Sequence, residues 1–456
     1  MHVENVSIIG LGKLGASMLA AIAARGMNVI GVDIRAEAVK AVNEGLAPVQ
    51  ETDLDKYIKA NKDRIRATMS HDEAIAESDI SFVIVPTPSD SKGAFSLQYA
   101  AYAFADLGRA LKKKQGYHVI VLTSTVLPGA TRYGLLPILE KESGKLCGPD
   151  FGLCYNPEFI ALGSVIRDFL NPDFYLLGEF DEKSVDVLAG VHNQVSENRA
   201  PVKRMSLENA ELVKISINSF ITMKISFANM IAEFAEKIPG GNVDIVSNAM
   251  GMDGRIGRKY LTGGMSFGGP CFPRDNVALG FLGKVLDVEC GLPETTNTFN
   301  KNFTARFVEK IKNRLEPHST VAVLGLAYKP HSHVVEESPG IALCKELSSA
   351  GFRVLAYDPL AGETADPILK YHVMVTRSLQ ESLKDAQTIM VTTCDPLFLR
   401  LTAADILGDK KKVTVVDFWR AMCLEIVNHP NIIYIPVGCC IEDIAAKNVL
   451  ESLWQN

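Results

Sequence analysis

A short apolar run, Val6–Ile9, stops at Gly10 and passes into an Ala/Leu-rich stretch that ends at Arg25 and Gly26. That order predicts a strand, a tight turn and a helix with glycine as its stop. A second buried strand is predicted at "NVIGVDI" (28–34), with further apolar runs at "ISFVIVPTP" (80–88) and "HVIVLTSTV" (118–126). Strands alternating with helical stretches predict a parallel sheet. The same beats return late in the chain, in "TVAVLGLAYKP" (320–330), "RVLAYDP" (353–359), "TIMVTTCDP" (388–396) and "VTVVDF" (413–418). Gly325, Asp358 and Asp385 stand there where Gly10, Asp33 and Asp79 stand in the first half. Two α/β domains of one general architecture are therefore expected, of which only the first keeps a full glycine pattern.

Between them, residues 207–237 contain neither Pro nor Gly and have good helical composition. A helix of that length is expected to link the two lobes. Its apolar face is either a surface for a second copy of the chain or packed within its own chain. The expected division is 1–200, 201–305 and 306–456.

Composition narrows the class. The chain has 456 residues, 47% hydrophobic and 22% charged, with 47 basic against 53 acidic side chains. That is an ordinary globular balance, with no basic run suited to nucleic acid. No stretch of eighteen apolar residues is free of charge, so no membrane span is expected. The N-terminus runs into a strand pattern with no secretory signal. The nine cysteines show neither C-x-x-C pairs nor C…H metal spacing, so no metal site is expected. Scattered free thiols favour a reducing compartment, with cytoplasm the expected location.

"GLGKLG" places glycines at Gly10, Gly12 and Gly15 after a strand and at the opening of a helix. In that setting Gly10 makes the turn, Gly12 admits a pyrophosphate to the backbone, and Gly15 lets helix and strand pack closely. The helix N-terminus favours the phosphates. Asp33, at the end of the second strand, would accept the adenosine ribose hydroxyls and repel a 2′-phosphate, which favours NAD over NADP; Arg35 stands nearby. "VPTP" and "TSTVLPG" end later strands, where ligands of such sheets lie. Thr87, Ser124 and Thr125 are thereby placed toward the nicotinamide half, or serve as ordinary turn and cap residues. The fold expected is two Rossmann-like doubly wound domains joined by a long central helix.

Three further features carry chemistry. "GGPCFPRD" (268–275) sets Cys271 in a loop stiffened by Pro270 and Pro273, with Arg274 and Asp275 following. The thiol is either a nucleophile or an idle turn residue, and Gly268 and Gly269 leave room for a ligand against the backbone. Glu158 in "NPEF" is a general acid–base candidate if buried, and otherwise a surface turn residue. Lys214 and Asn218, four apart, share a helix face; they form an oxyanion pair or a solvated surface. With an NAD site, these groups describe one chemistry. An alcohol is oxidised to an aldehyde, a thiolate adds to give a thiohemiacetal, a second oxidation gives a thioester, and water releases a carboxylic acid. The thiolate is required because a free aldehyde offers no hydride until something adds to it.

The chain resembles the UDP-glucose/GDP-mannose dehydrogenase family, the nucleotide-sugar 6-dehydrogenases. The resemblance runs in order through "GLGKLG", "VPTP", "STVLPGAT", "NPEF", "ENAELVKISINSF", "KISFAN", "DGRIG", "GGPCFPRD", "GLAYKP" and "YDP". It implies a four-electron oxidation of C6 of a nucleotide sugar, a UDP-hexose, with NAD as cofactor. Cys271 is similar to the family nucleophile. Lys214 and Asn218 resemble the oxyanion groups, Lys214 also a proton acceptor. Glu158 resembles the carboxylate handling water in thioester hydrolysis, and Thr125 and Asp275 the residues holding that water. The resemblance also implies cofactor contacts at Leu14, Pro88 and Arg274, and substrate contacts at Phe159, Tyr260, Leu261, Phe267, Gly268 and Lys329. Arg255 is similar to an arginine that reaches substrate from a partner subunit, and a homodimer or higher homo-oligomer is implied, with no nucleic-acid or membrane partner.

Departures from the family pattern fall at Leu162, where a second glutamate is usual, and at Ser266, Pro270 and Arg274 around the thiol. The loop after "GLAYKP" reads His331, Ser332, His333, Val334, with Glu336 where an arginine is usual. Arginine to glutamate reverses the charge a ligand meets. These changes bear on the sugar and its nucleotide more than on the hydride and thiol chemistry. Other readings stay open: a two-electron dehydrogenase that gives one NADH per sugar, a binding protein with a vestigial site, or a hydroxyacid-type dehydrogenase that leaves Cys271 without a role.

Overall fold

The computed structural model describes residues 3–160, 162–441 and 443–454. The chain forms two compact units, Met1–Ile217 and Asn218–Asn456.

The first unit is built on eight strands: β1 (Asn5–Ile9), β2 (Asn28–Val32), β3 (Ile65–Thr68), β4 (Ile80–Val83), β5 (Val119–Leu122), β6 (Gly152–Tyr155), β7 (Tyr175–Glu179) and β8 (Val202–Ser206). Their order is β3-β2-β1-β4-β5-β6-β7-β8. All neighbours are parallel except β6 and β7. Strand residues alternate between two cores. Ile8, Val29, Phe82, Val119 and Val121 enter one apolar cluster, and Ile9, Ile30, Val32, Val83, Ile120 and Leu122 enter another. A period of two with both faces apolar is what a sheet covered by helices on both sides demands. The near-continuous apolar runs of the sequence follow from it.

The second unit repeats the plan with β9 (Thr320–Leu324), β10 (Arg353–Tyr357), β11 (Met374–Val375), β12 (Thr388–Val391), β13 (Val413–Asp417) and β14 (Ile432–Pro436). Their order is β11-β10-β9-β12-β13-β14, parallel throughout. Val321, Val323 and Met390 face one core, while Ala322, Leu324 and Val391 face the other. The expected pair of doubly wound α/β domains is thus present. In both sheets the crossover from the first strand's neighbour to the far side puts a switch point at the carboxyl ends of β1 and β4, or β9 and β12, where such folds bind ligands.

The long helix runs Leu207–Ala235, 29 residues. At 1.5 Å per residue it is about 44 Å long. Among the described residues no helix is long and apolar enough to cross a membrane. No group of three or more His, Cys, Asp or Glu among them is arranged to hold a metal ion.

Candidate active site

The glycine turn follows β1. Gly10 adopts φ 103°, and its N–H donates to Val32 at 2.7 Å. A Cβ on Gly10 would lie 2.2 Å from the Ile84 carbonyl oxygen, and one on Gly15 1.9 Å from that of Gly10. Packing alone therefore forbids a side chain at both. Gly12 differs: a Cβ there meets no protein atom within 4 Å. The fold does not need glycine at this position, whereas a pyrophosphate against the backbone does. Helix Lys13–Ala24 starts at Gly12 with no side-chain cap and no acid in its first turn, which suits an anion. Leu14 lies in that first turn.

Asp33 is buried at the end of β2. Its carboxylate accepts from the Leu11 N–H (2.8 Å), the Arg35 N–H (2.8 Å) and Arg35 Nε (3.0 Å). Burial opposes its charge, yet the Arg35 and Leu11 donors hold its carboxyl below the usual range. Ribose hydroxyls would reach Asp33 by displacing the Arg35 guanidinium, which is half exposed. The residues present therefore fit NAD. Ser124 Oγ lies 2.9 Å from the Val85 N–H and donates to the Val85 carbonyl at 2.6 Å. Thr87 donates to the Thr125 carbonyl at 2.7 Å. The loops after β4 and β5 are thus tied together, with Pro88 exposed and Thr125 half-buried.

In the same unit, Lys214 Nζ donates to the Glu158 carbonyl at 2.7 Å and lies 4.6 Å from the Phe159 ring centre. Lys214 is buried, so the solvated-surface reading of this helix face fails for it. Oε1 of Glu158 is shut off from solvent and has no hydrogen-bond partner. Burial pushes the Glu158 carboxyl up to about 8, against the pull of Lys214. A carboxyl in that range exchanges protons near neutral pH.

In the second unit, Cys271 is exposed and occupies the N-cap of helix Phe272–Val285. A thiolate there is favoured by the helix N-terminus. Asp275, in the first turn of that helix and buried, accepts from Asn218 Nδ2 at 2.6 Å. Arg274 Nε lies 3.6 Å from Asp275 Oδ1. The glycine pair before the thiol is required by the protein's own packing. A Cβ on Gly268 would sit 2.1 Å from the Glu337 carbonyl oxygen, and one on Gly269 2.7 Å from the Tyr328 ring. The Gly269 N–H donates to the Glu336 carbonyl at 3.0 Å. The segment that departs from the family pattern therefore clamps the thiol loop through its main chain.

The other candidates are placed as follows. Phe267 and Leu261 are buried, and the Phe267 main chain is held on both sides by Asn300 at 2.8 Å. Tyr260 is half exposed at φ 66°. Arg255 is exposed and paired with Asp253. Lys329 lies over the Tyr328 ring, 5.8 Å from its centre. His331 is exposed, also in the left-handed region.

Three groups escaped the sequence. Glu211 is fully buried and accepts from the Gly129 and Thr131 N–H groups. Asn276 bonds Thr222, Ser219 and Asn297, and Asn297 donates to the Pro273 carbonyl, fixing the start of the Cys271 helix. Buried His192 lies 2.7 Å from Asn156 Oδ1 at the head of the Glu158 turn. The spacing of Glu211, Lys214 and Asn218, at i, i+3 and i+7, was the one available signal, since it places all three on one helix face.

A glycine-fingerprint sheet, a tuned carboxyl and a thiol at a helix N-terminus define an NAD-binding dehydrogenase with a second Rossmann-like unit. Comparison with known proteins sharpens this. Models of the UDP-glucose/GDP-mannose dehydrogenase family match in three parts: the NAD binding domain at 4–196, the central domain at 208–302 and the UDP binding domain at 322–423. A UDP-glucose 6-dehydrogenase of Haloferax volcanii is 33% identical over 396 residues, 85% of this chain and 91% of that protein. A GDP-mannose 6-dehydrogenase of Azotobacter vinelandii is 31% identical over 430 residues, 91% and 97% of the two chains. The structure of a UDP-glucose dehydrogenase from Pyrobaculum islandicum superposes with a TM-score of 0.85 at 31% identity, covering 96% and 98%. The chain belongs to the UDP-glucose/GDP-mannose dehydrogenase family. Its cofactor is NAD, and its activity is of the nucleotide-sugar 6-dehydrogenase class.

Proposed function

We propose that the chain oxidises C6 of a UDP-hexose through the aldehyde to the uronic acid, with Cys271 as the covalent centre. The observation that carries this is an exposed thiol at a helix N-cap, followed in the first turn by a buried Asp275 bonded to Asn218. NAD, held by the Gly10–Gly15 turn, the adjoining helix N-terminus and Asp33, supplies hydride acceptance for each of the two oxidations. Lys214 takes the proton of the C6 hydroxyl and, with Asn218, steadies the oxygen as it gains charge. The Cys271 sulfur bonds to the aldehyde carbon, and the carbonyl oxygen takes a proton. After the second oxidation the carbon is a thioester. Glu158 then takes a proton from water, held by Thr125 and Asp275, as that water attacks. The C–S bond breaks, the thiolate returns, and the acid leaves.

Support for a UDP-sugar comes from the match at 322–423 to the family's UDP binding domain. Cofactor binding is assigned to 1–200, assembly to 201–305 and nucleotide-sugar binding to 306–456. Tyr260, Leu261, Phe267, Gly268, Phe159 and Lys329 are assigned to the substrate, and Arg255 to the substrate of a partner subunit. Phe220, Phe227 and Phe234 are exposed at a spacing of seven on the long helix. That stripe supports association with a second copy.

The test is NADH production across UDP- and GDP-sugars. Two NADH per sugar are expected with a UDP-hexose. Cys271→Ala is expected to stop at the aldehyde level with one. One NADH per sugar from the unaltered protein, or an unchanged yield from the variant, sinks the thioester route.

A further inference from the structure

Glu211 lies one helical turn before Lys214 and is fully buried. Both of its carboxylate oxygens are used. Oε2 accepts from the Gly129 N–H at 2.5 Å, and Oε1 from the Thr131 N–H at 2.9 Å. These N–H groups open the helical stretch that begins at Ala130 and continues to Ser143. An anion at a helix N-terminus is favoured by its unpaired donors and dipole. One turn earlier on the same long helix, Glu208 bonds Arg132 Nε at 2.5 Å. Two acids of one helix therefore grip residues 129–132.

The gripped segment is the far end of the stretch that carries Thr125. Its near end is fixed by Ser124 on Val85 and by Thr87 on the Thr125 carbonyl. On the other side of Glu211, the next turn of the helix carries Lys214, whose Nζ donates to the Glu158 carbonyl at 2.7 Å. One rigid turn of helix thus separates the anchor of the Thr125 segment from the anchor of the Glu158 turn.

We infer that Glu211 is a positioning residue for thioester hydrolysis: it locks segment 123–131 to the long helix and so sets the spacing between Thr125 and Glu158. This rests on the roles proposed above for those two residues. Both lie on loops, and a loop whose far end is loose wanders by more than the tolerance of a proton transfer. A misplacement of about 1 Å costs about 100-fold in rate. Glutamine at 211 keeps the size but turns an NH2 donor toward a backbone N–H, so one of the two anchoring bonds is lost.

The experiment uses the full-length protein with NAD and, in parallel, UDP-glucose and GDP-mannose. Glu211→Gln, Glu208→Gln and Thr125→Val are compared with the unaltered enzyme. Steady-state NADH production gives kcat and KM, and acid quench with intact-mass measurement gives the fraction of enzyme carrying a sugar acyl group on Cys271. Glu211→Gln is expected to lower kcat about 10- to 100-fold, to leave KM for the sugar nucleotide within about twofold, and to raise the acylated fraction to a majority. Glu208→Gln, whose ion pair is partly exposed and safer for folding, is expected to do the same to a smaller degree. A packing role alone lowers kcat and thermal stability without accumulating the acyl-enzyme. If Thr125→Val accumulates it and neither glutamate variant does, the inference is overturned while the hydrolysis reading stands. If none of the three accumulates it, both are overturned.

Discussion

Ionising Glu158 in the folded protein is expected to be expensive, and Glu158→Gln isolates that cost. Its carboxyl moves from the ordinary 4.5 to about 8 on folding, chiefly through burial. The folded state therefore keeps a proton that the unfolded chain releases as pH rises between those values. Stability linked to this group is present in full below 4.5 and gone above about 8. At about 1.4 kcal/mol per pH unit the full interval is worth about 5 kcal/mol. Solvent reaching the half-buried residue screens part of this, which leaves about 2–4 kcal/mol. The assay is urea unfolding of the unaltered protein and Glu158→Gln from about pH 5 to about pH 9. Glutamine does not titrate, so the stability difference between the two proteins should shift by that amount in favour of the variant as pH rises. Activity reads the same proton. In the hydrolysis proposed above the base is the carboxylate, so kcat of the unaltered enzyme should rise with pH through about 8. The variant should lose that limb and fall about 100-fold. A stability difference flat with pH, or a surviving limb in the variant, refutes the reasoning.

The glycine fingerprint separates packing from ligand binding. Gly15→Ala should destabilise the protein by about 3 kcal/mol in urea, because its Cβ meets the Gly10 carbonyl oxygen at 1.9 Å. Gly12→Ala should unfold like the unaltered protein yet bind NAD about tenfold more weakly in a fluorescence titration; equal affinity would remove Gly12 from the cofactor site. Arg420, 6% exposed, bonds Asp244 through two nitrogens and the carbonyls of Phe418, Val437 and Gly263. Arg420→Met should cost about 3 kcal/mol in urea, since it strands those acceptors, and a loss under about 1 kcal/mol would show that they are rehydrated. Phe227→Glu places charge in the exposed phenylalanine stripe and should lower the mass measured by light scattering from that of the proposed dimer to that of one chain; an unchanged mass would remove the stripe from the proposed association.

Strand positions were legible because each strand is buried on both faces, and a run of Val and Ile between glycine turns has few other solutions. The long helix was legible for a similar reason, since nothing interrupts it. The candidate site was most legible where its side chains stand near one another in sequence: Gly10 to Gly15, Lys214 with Asn218, and Cys271 with Asp275. Glu211 was hidden because its partners, the main-chain donors of Gly129 and Thr131, lie about eighty positions away and leave no mark on residue type. The glycine pair shows the opposite case, a visible motif with a packing cause that the sequence does not display. Gly268 and Gly269 are small because Glu337 and Tyr328 press on them, some sixty to seventy positions downstream. That contact also changes how the unusual Glu336 is understood. Its structural task is to offer a main-chain carbonyl to Gly269, which any residue performs equally well. Its side chain is exposed and plays no part in the clamp. The fold therefore sets no charge at position 336. Replacing Glu336 with arginine should leave the Cys271 loop intact, with unfolding in urea like that of the unaltered protein.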